Sequence, residues 1–410
     1  MNAPRAPLKL LDDALAELLA HVQVIEGQDQ IPTFDADGRV LAHDVVSALQ
    51  VPPQDNSSMD GYALRSADVA QAGASLRVTQ RIAAGAVGTE VQPGTAARIF
   101  TGAPIPSGAD AVVMQEDCDA MADVDVLRVN VVPAAGQWIR RSGEDVTRGA
   151  RVLAAGQRLN AAALGLAASV GLSTLGVRRK PRVALFSTGD ELVMPGEVRP
   201  ADMPPGAIYN SNRFFLRALL QRLGCLVSDM GIVPDQRAAT IEALRTAAQH
   251  HDLVLTSGGV SVGEEDHIKP AVAELGRLDL WQIAIKPGKP FAYGRIDAAH
   301  FMGLPGNPVS SFVTFLLLVR PFLLALQGAR DLVVPAMEMR ADFQWSRADR
   351  RREFLRVRRN AQGGLDLFPN QSSGVLTSVV WGDGLVDNPS SRTIAPGDTV
   401  RYIALSDLLG

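Results

Sequence analysis

Residues 252–266 combine groups that bind anions with groups that bind cations. Their apolar start, residues 253–255, predicts a strand buried on both faces of a parallel sheet. Small residues follow, whose backbone N–H groups and hydroxyls can donate to an anion at close range: Thr256, Ser257, Gly258, Gly259 and Ser261. Glu264, Glu265 and Asp266 then supply the hard oxygen ligands that a divalent cation prefers. The stretch indicates a meeting point of phosphate and metal, although a strand end followed by an acidic first helical turn explains the same residues.

Two further acids follow predicted strands of the same unit. Glu191 comes after residues 183–186, and Asp235 comes after residues 226–233. In open α/β sheets, ligands bind outside the carboxyl ends of the strands. Glu191, Asp235 and Asp266 are therefore expected to converge at one edge of the sheet.

Turns stiffened by proline and glycine place further groups that suit an oxyanion. The first turn holds Lys286 and Lys289 within the sequence Lys-Pro-Gly-Lys-Pro, which fixes two positive charges at a short spacing. The second turn precedes a predicted helix, where free amide groups attract anions, and contains Pro305, Gly306, Asn307 and Pro308. Ser187 opens a third polar loop, Ser-Thr-Gly-Asp-Glu, directly after its strand.

Polar candidates outside this unit have two explanations each. Arg140 and Arg141 could bind phosphate bidentately, but with Glu144 and Asp145 beside them they also fit a surface ion-pair cluster, which contributes little to stability. Asp60 lies in a polar surface loop of the kind that often carries function, yet on residue types alone it is a turn residue that binds its own backbone.

The elements that must position these residues are predicted from apolar spacing. Leucines three and four residues apart predict an amphipathic helix over residues 8–22. Between residues 179 and 328, strands alternate with helices, which predicts right-handed βαβ units and a sheet with both faces covered. The predicted helices of this unit span residues 211–223, with Ser211 as the cap, residues 240–249 and residues 309–326.

The predicted fold class is multidomain α/β plus β, because short β-branched runs between glycine and proline turns flank the α/β unit. The basic run of residues 347–359 predicts a solvated face unless it lies near the cleft. The predicted domains are a linking domain (residues 1–50 plus 141–178), an inserted small β domain (51–140), an α/β domain with a central parallel or mixed sheet (179–328) and a β-barrel-like C-terminal domain (329–410).

Composition excludes several classes of function. Forty basic against 44 acidic residues leave no basic face for nucleic acid. Cys118 and Cys225 form neither a disulfide framework nor a metal knuckle, which fits a reducing cytoplasm. The start lacks the apolar core of a signal peptide, and two apolar segments, residues 159–177 and 312–326, are expected to be buried helices rather than membrane spans. The sequence has neither a serine–histidine triad nor an activated cysteine, so it indicates no covalent nucleophile.

Seven motifs, in order over nearly the whole chain, carry a resemblance to a known family. They are Ser58-Met-Asp-Gly-Tyr-Ala, Thr101-Gly-Ala-Pro-Ile-Pro, Gly143-Glu-Asp, Ser187-Thr-Gly-Asp-Glu-Leu, Ser257-Gly-Gly-Val-Ser-Val-Gly, Lys286-Pro-Gly-Lys-Pro and Leu304-Pro-Gly-Asn-Pro-Val-Ser. Together they resemble the molybdopterin molybdenumtransferases, which insert molybdate during molybdenum-cofactor synthesis, and the chain is similar also to the C-terminal part of gephyrin.

The resemblance implies four domains and an elongated homodimer, with dimerisation assigned to the linking domain and a cleft completed by the second chain. It implies that adenylyl-molybdopterin and molybdate react, with Mg²⁺, to give molybdenum cofactor and AMP. It also implies two protein partners, the molybdopterin adenylyltransferase and apo-molybdoenzymes. Nucleic acid and membranes are not expected as partners, and the expected location is the cytoplasm.

The resemblance assigns roles to the candidates above. The implied catalytic residues are Asp60, Glu191, Asp235, Asp266, Lys286 and Lys289, and the implied metal ligands are Glu191, Asp235, Asp266 and Asp145. The implied substrate-binding residues are Thr101, Arg140, Arg141, Ser187, Gly258, Gly259, Ser261, Pro305, Gly306, Asn307, Pro308 and Ser373. Residues 382–389 depart from the apolar strand expected there, because they are polar.

Two other functions remain open at this point. The first is adenylyl transfer from ATP to molybdopterin, since the related adenylyltransferase shares the α/β domain; the flanking domains argue against it. The second is a non-catalytic pterin-binding scaffold, which has no need of the acids and lysines described above. A dinucleotide or Walker-type nucleotide enzyme is disfavoured, because neither glycine-rich signature occurs.

Overall fold

The computed structural model describes residues 8–121, 125–260 and 267–409 of the chain. These residues form three six-stranded sheets and four two-stranded ladders. Each large sheet has apolar residues packed against it, so the chain has several cores. Short 3₁₀ turns connect the elements at Thr33–Asp35, Ser66–Asp68, Gln115–Asp117 and Pro200–Asp202.

The N-terminal helix Leu11–Ala20 confirms the predicted amphipathic helix, in a shorter form. Its buried face consists of Leu11, Ala14 and Leu18, and it packs into the core of the α/β domain. The helix therefore joins the start of the chain to a domain that follows about 170 residues later in sequence.

Three ladders join the segments that precede and follow the inserted sheet. The pairs are Gln28–Pro32 with Thr174–Arg178, Val45–Val46 with Arg151–Leu153, and Asn56–Ser57 with Ile139–Arg140. The prediction of one buried helix over residues 159–177 was wrong. The helix ends at Ser169, and Gly171, at a φ of 85°, turns the chain into the strand Thr174–Arg178.

The inserted β sheet carries apolar residues on both faces. Leu64 and Val113 belong to one cluster, and Ala63 and Val112 to the other, because neighbours along a strand point to opposite faces. Its strand order is Ala111–Met114, Gly61–Leu64, Thr95–Ile99, Ala74–Ile82, Val126–Val129 and Cys118–Met121.

The central sheet is mixed. Its first four strands are parallel, and the last two pair antiparallel. The strand order is Leu226–Val233, Arg182–Thr188, Leu253–Ser257, Ala299–Leu304, Pro290–Ile296 and Gly276–Gln282. Hydrophobic positions alternate along the strand Arg182–Thr188: Val183 and Leu185 face one core, and Ala184 and Phe186 face the other.

Helices cover both faces of this sheet, as predicted. Asn212–Arg222 and the run Pro308–Leu326 lie on one face, and Arg237–His250 and Ile268–Leu275 lie on the other. The predicted cap at Ser211 was wrong: its side chain makes no capping bond. Instead, the Arg213 N–H donates to Asn210 Oδ1, at 3.2 Å.

The helical run Pro308–Leu326 is long and apolar enough to cross a membrane by length and composition, but 89% of it is buried in the fold. It is thus a core helix, as predicted for residues 312–326. A wide π turn, Phe315–Val319, separates the α-helices Pro308–Thr314 and Arg320–Leu326. The turn lies just before Pro321, whose nitrogen cannot donate to the preceding turn.

The C-terminal strands close into a five-stranded barrel, because Arg352–Arg359 pairs with both Gly364–Leu367 and Gly384–Asn388. The other two strands are Met337–Ala341 and Thr399–Ala404, and the barrel carries the short helices Thr377–Trp381 and Leu405–Leu409. A sixth strand, Ile285–Lys286, comes from the α/β part of the chain and pairs with Arg352 and Glu353.

The polar segment 382–389 contains the strand expected there, Gly384–Asn388, and this strand is fully buried. Its polarity is accommodated because Asp387 is paired with Arg352 at 2.7 Å between Nη2 and Oδ2. In the basic run 347–359 the prediction of a solvated face holds in part: Arg347, Arg350, Arg358 and Arg359 are exposed. Arg356, in contrast, is buried and donates to Ser378 Oγ and to the Phe354 carbonyl. Buried charges are tolerated here because each has a partner.

A buried histidine belongs to the strand Ala299–Leu304, where the central sheet changes from parallel to antiparallel pairing. His300 is 6% exposed, and its Nδ1 is hydrogen-bonded to the Tyr293 hydroxyl at 3.0 Å. Burial, together with the nearby Arg295 and His21, lowers the pKa of His300 from 6.5 to about 4. The folded protein therefore holds this ring neutral.

We expect stability to fall as the pH drops from about 6.5 towards 4, because the unfolded chain takes up a proton on His300 that the folded chain resists. A shift of this size contributes about 3 kcal/mol over that window. Urea unfolding at a series of pH values gives the free energy of unfolding as a function of pH for the wild type and for His300→Gln. Between pH 7 and 8 this pH dependence should be the same for both proteins, and from pH 6 to 4 the wild type should lose more stability. An equal pH dependence from pH 4 to 6 would contradict the assignment.

Candidate active site

A cavity of about 530 Å³ lies at the carboxyl ends of the parallel strands. Thr188 and Ser257, which end two of these strands, contribute to its wall. The predicted site residues that line it are Glu191, Gly258, Gly306, Asn307 and Pro308. Gly374, next to the predicted Ser373, also lines it, so the barrel part of the chain contributes to the same cavity.

The side-chain amide of Asn212 joins two loops of the cavity. Its Nδ2 donates to Ser257 Oγ at 2.8 Å and to the Gly306 carbonyl at 2.7 Å. Asn212 and Ser257 are both buried. Since Ser257 and Leu304 are register partners in the sheet, this amide holds the turn after one strand against the end of its neighbour.

The glycine loop after Ser257 is pressed against the end of the neighbouring strand. Gly258 and Gly259 have φ values of 95° and 68°. A Cβ on Gly258 would lie 2.7 Å from the Thr188 carbonyl oxygen, and one on Gly259 would lie 2.9 Å from Thr188 Oγ1. Only glycine fits these two positions. Ser261, Glu264, Glu265 and Asp266 lie outside the described residues.

Two of the predicted acids lie at the same edge of the sheet. Thr188 and Val233 are register partners, and Glu191 and Asp235 follow them by three and two residues. The Asp235 N–H donates to Asp190 Oδ1 at 3.2 Å, which joins the two loops. Glu191 lines the cavity, with its carboxylate folded over Gly189, whereas Asp235 does not line it.

The described part of the chain contains no group of three or more metal-binding side chains. Mg²⁺, however, is commonly bound by one or two carboxylates together with substrate phosphates. Glu191 offers one such carboxylate to the cavity. Asp145 is not brought to the cavity: it lies on an exposed turn, where its N–H donates to the Val51 carbonyl.

Lys286 is held by carboxylates of the barrel. Its Nζ lies 3.0 Å from Glu353 Oε1 and 3.4 Å from Asp349 Oδ2, and Glu353 is 1% exposed. The paired Arg351 lowers the pKa of Asp349 well below its usual range. Two cations and two carboxylates therefore balance one another here, and the role of Lys286 in binding an oxyanion stays a prediction.

The lysine turn is connected to the cavity through the start of the core helix. A Cβ on Gly288 would lie 2.4 Å from Thr314 Oγ1, so the turn packs directly on that helix. The Val309 N–H donates to the carbonyl of Ser373 at 2.9 Å, next to the cavity-lining Pro308. Lys289 is half-buried, and its carbonyl accepts a hydrogen bond from Ile283 N–H. Pro305 is buried at the end of its strand.

Asp60 and Thr101 are brought together in the inserted β part of the chain. Both the N–H and the hydroxyl of Thr101 donate to Asp60 Oδ1, each at 2.8 Å. These bonds, the backbone one first, lower the pKa of Asp60. Asp60 is exposed and does not line the cavity. The pair forms a second group of candidates, separate from the cavity of the same chain.

The remaining candidates do not line the cavity. Arg140 is exposed in its two-stranded ladder, and Arg141 pairs with Asp55 at 2.6 Å between Nη1 and Oδ2. Arg141 is thus in a surface ion pair, but the carboxylate that pairs with its guanidinium is Asp55 and not the neighbouring Glu144 or Asp145 of the predicted cluster. Ser187 is 1% exposed within its strand, and its hydroxyl has no hydrogen-bond partner among the described residues.

Thr188, Tyr209, Asn210 and Asn212 also line the cavity, although none of them was predicted as a site residue. The signal available was two asparagines flanking Ser211 at a predicted helix start. Asparagine is common at helix starts for local capping, so these residues did not stand out.

Three family descriptions match the chain in order. The MoeA N-terminal region (domain I and II) matches residues 10–171, the probable molybdopterin binding domain matches residues 184–325, and the MoeA C-terminal region (domain IV) matches residues 338–405. The cavity lies mainly within the second match.

Full-length relatives agree with these matches. Molybdopterin molybdenumtransferase of Haemophilus influenzae is 38% identical over 407 residues, which cover 98% of this chain and 99% of that protein. Molybdopterin molybdenumtransferase 2 of Mycobacterium tuberculosis is 37% identical over 371 residues, which cover 88% and 90%. The solved molybdopterin biosynthesis moeA protein of Pyrococcus horikoshii OT3 superposes with a TM-score of 0.85 at 29% identity and covers 97% of this chain and 100% of that chain. The predicted fold class is confirmed.

We expect Asn212→Ala to lower the free energy of unfolding by about 1–3 kcal/mol, because Ser257 and the Gly306 carbonyl lose a buried donor. Asn130→Ala is the control: its Nδ2 donates to Asp119 on an exposed surface, so the change should stay within about 0.5 kcal/mol. Thermal unfolding of both variants makes the comparison. Equal, small shifts would show that the Asn212 bridge contributes nothing.

Lys286→Met and Glu353→Gln should be coupled, because Lys286→Met leaves the buried carboxylate of Glu353 without this cation, whereas Glu353→Gln leaves the half-buried Lys286 with Asp349 alone. We expect an interaction energy of about 1 kcal/mol or more in a double-mutant cycle of thermal unfolding. The exposed pair of Arg245 and Glu242, 2.8 Å apart, is the control cycle and should give an interaction energy near zero. Additive effects in the first cycle would mean that the pair does not join the lysine turn to the barrel.

Proposed function

Since the chain belongs to the molybdopterin molybdenumtransferase family, we propose that it inserts molybdate into adenylylated molybdopterin and releases AMP in a Mg²⁺-dependent reaction. The chain is a transferase of molybdenum cofactor biosynthesis. The observation that carries the proposal is the cavity at the carboxyl ends of the parallel strands, within the part that matches a molybdopterin binding domain. Its position is the one at which α/β sheets bind ligands.

The cavity supports binding of the pterin substrate through its own side chains. The Asn212 bridge and the glycine loop fix the wall formed by two strand ends, so the polar groups there are preorganised. Glu191 and Asp235 would hold Mg²⁺, and the ion would neutralise charge on the phosphoryl oxygens when bound. Lys286 and Lys289 would place positive charge beside molybdate, at the edge of the barrel.

No side chain of the described residues is needed as a covalent nucleophile. Burial raises the pKa of Cys118 to about 12 and that of Cys225 to about 12, so both thiols stay protonated at neutral pH. The proposed chemistry is therefore positioning and charge neutralisation: the two dithiolene thiols bind molybdenum as one oxygen of molybdate leaves as water, and a water molecule cleaves the pyrophosphate linkage to release AMP and leave the pterin phosphate.

A homodimer is part of the proposal. Asp60, Thr101, Arg140, Arg141 and Asp145 all lie outside the cavity of their own chain. In the proposed dimer, a second chain brings these five residues to the cavity. One active site would then combine residues of the α/β part of one chain with residues of the N-terminal part of the other. We also propose a cytoplasmic location and contacts with the adenylyltransferase and apo-molybdoenzymes.

Purified protein should release AMP from adenylylated molybdopterin only when molybdate is present, and chelation of divalent metal should suppress the release. Glu191→Gln should lower the rate on the order of 100-fold, the size typical for loss of one electrostatic group at an active site. Glu338→Gln, an exposed acid of the barrel strand Met337–Ala341, is the matched control and should leave the rate unchanged. Quantification of AMP by chromatography provides the measurement.

Two outcomes would reject this function. Formation of adenylylated pterin from ATP and metal-free molybdopterin would identify an adenylyltransferase instead. Binding of the pterin without any molybdate-dependent AMP would indicate a scaffold.

A further inference from the structure

We propose that Asn210 is a substrate-binding residue, whose side-chain nitrogen donates a hydrogen bond to an acceptor oxygen of the adenylylated pterin. The identity of this ligand rests on the proposed function. Asn210 follows the short strand Ile208–Tyr209, precedes the helix Asn212–Arg222 and lines the cavity.

The orientation of the Asn210 amide is determined by its neighbours. The Arg213 N–H can only donate, so the side-chain atom 3.2 Å from it must be the oxygen Oδ1. The backbone N–H of Asn210 donates to the Val193 carbonyl, which fixes the backbone at the same point. Nδ2 is therefore the side-chain atom that remains available to donate a hydrogen bond to a group outside the helix start.

Nδ2 is shielded from bulk solvent and has no protein partner. Asn210 is 2% exposed, and no hydrogen-bond acceptor for Nδ2 occurs among the residues that the structure describes. Buried amide donors without partners are rare, because they lose hydration without compensation. Neighbouring Asn212 differs, since both its acceptors are protein atoms. An acceptor on a bound ligand would supply what Asn210 lacks.

The cavity wall favours an uncharged acceptor. Of the described residues that line it, Glu191 is the charged one, and no lysine or arginine is among them. A carbonyl oxygen of the pterin ring fits beside a carboxylate better than a phosphate oxygen does, unless a metal ion offsets the charge. The pterin carbonyl and the phosphate would each offer an acceptor oxygen to Asn210, and binding experiments distinguish between them.

Asn210→Asp is the informative variant, because it keeps an oxygen for Arg213 N–H and nearly the same volume but removes the donor. Asn160→Asp is the matched control: Asn160 Oδ1 accepts from Ala163 N–H at 2.9 Å at another helix start, and its side chain is exposed. Asn210→Ala removes the donor without adding charge. Thermal unfolding would establish that each variant is folded.

Calorimetric titration with two probes, AMP and 6-hydroxymethylpterin, tests the proposal without catalysis. Both Asn210 variants should bind at least one probe about tenfold more weakly than the wild type, and Asn160→Asp should not. Loss for the pterin alone assigns the acceptor to the ring carbonyl, and loss for AMP alone assigns it to the phosphate.

Unchanged binding of both probes by folded Asn210→Asp would overturn the proposal, as would a wild-type protein that binds neither probe. Failure of the proposed function is a distinct result. In that case the wild type binds a probe and loses that binding in Asn210→Asp, but releases no AMP with molybdate.

Discussion

The geometry of the cavity depends on one buried side-chain amide. Asn212 donates from a single nitrogen to Ser257 Oγ and to the Gly306 carbonyl, so the first turn of a helix, a strand end and a strand-to-helix turn are held together. Without the amide, the buried Ser257 would lose a hydrogen-bond donor, and the turn at Gly306 would lose its link to the helix start. The parallel sheet brings the three segments to one edge, but the amide sets their spacing.

A second constraint joins the α/β part of the chain to the barrel. The strand Ile285–Lys286 extends the barrel sheet, and the pairing of Lys286 with Glu353 adds a charge contact to the same junction. Arg352, the register partner of Ile285, contacts Asp12 of the N-terminal helix and Asp387 of the neighbouring barrel strand. The same junction therefore includes the N-terminal helix. Glu353 and Asp387 are buried, so loss of one member of either pair costs more than loss of both, whereas Asp12 is exposed and its pair contributes little. The position of the lysine turn is therefore coupled to the barrel.

Much of the α/β part could be predicted from the sequence, because alternation of apolar runs and helical periods reports directly on burial. The strand Leu226–Val233 was predicted with its observed bounds, and the position of Glu191 and Asp235 in loops at the same sheet edge follows from topology alone. The burial of the polar strand Gly384–Asn388 could not be predicted, since the cation that makes Asp387 tolerable, Arg352, lies 35 residues away in sequence. Asn210 and Asn212 were missed for a related reason: local capping and tertiary bridging use the same residue type.

The separation of charges around the cavity has a chemical consequence. Positive groups, Lys286 and Arg351, lie at the barrel edge in a balanced network, whereas the cavity lining holds Glu191 and neutral amides. A neutral heterocycle in the cavity and an oxyanion at the lysine turn would therefore meet different surroundings. The two places are linked by the core helix, whose Pro308 lines the cavity and whose Thr314 packs against the lysine turn. An oxyanion that approaches Lys286 must compete with Glu353, so binding there exchanges one partner of the lysine for another instead of filling a site with excess positive charge. Such an exchange discriminates by geometry as well as by charge, because the carboxylate stays behind and repels an anion that is misplaced.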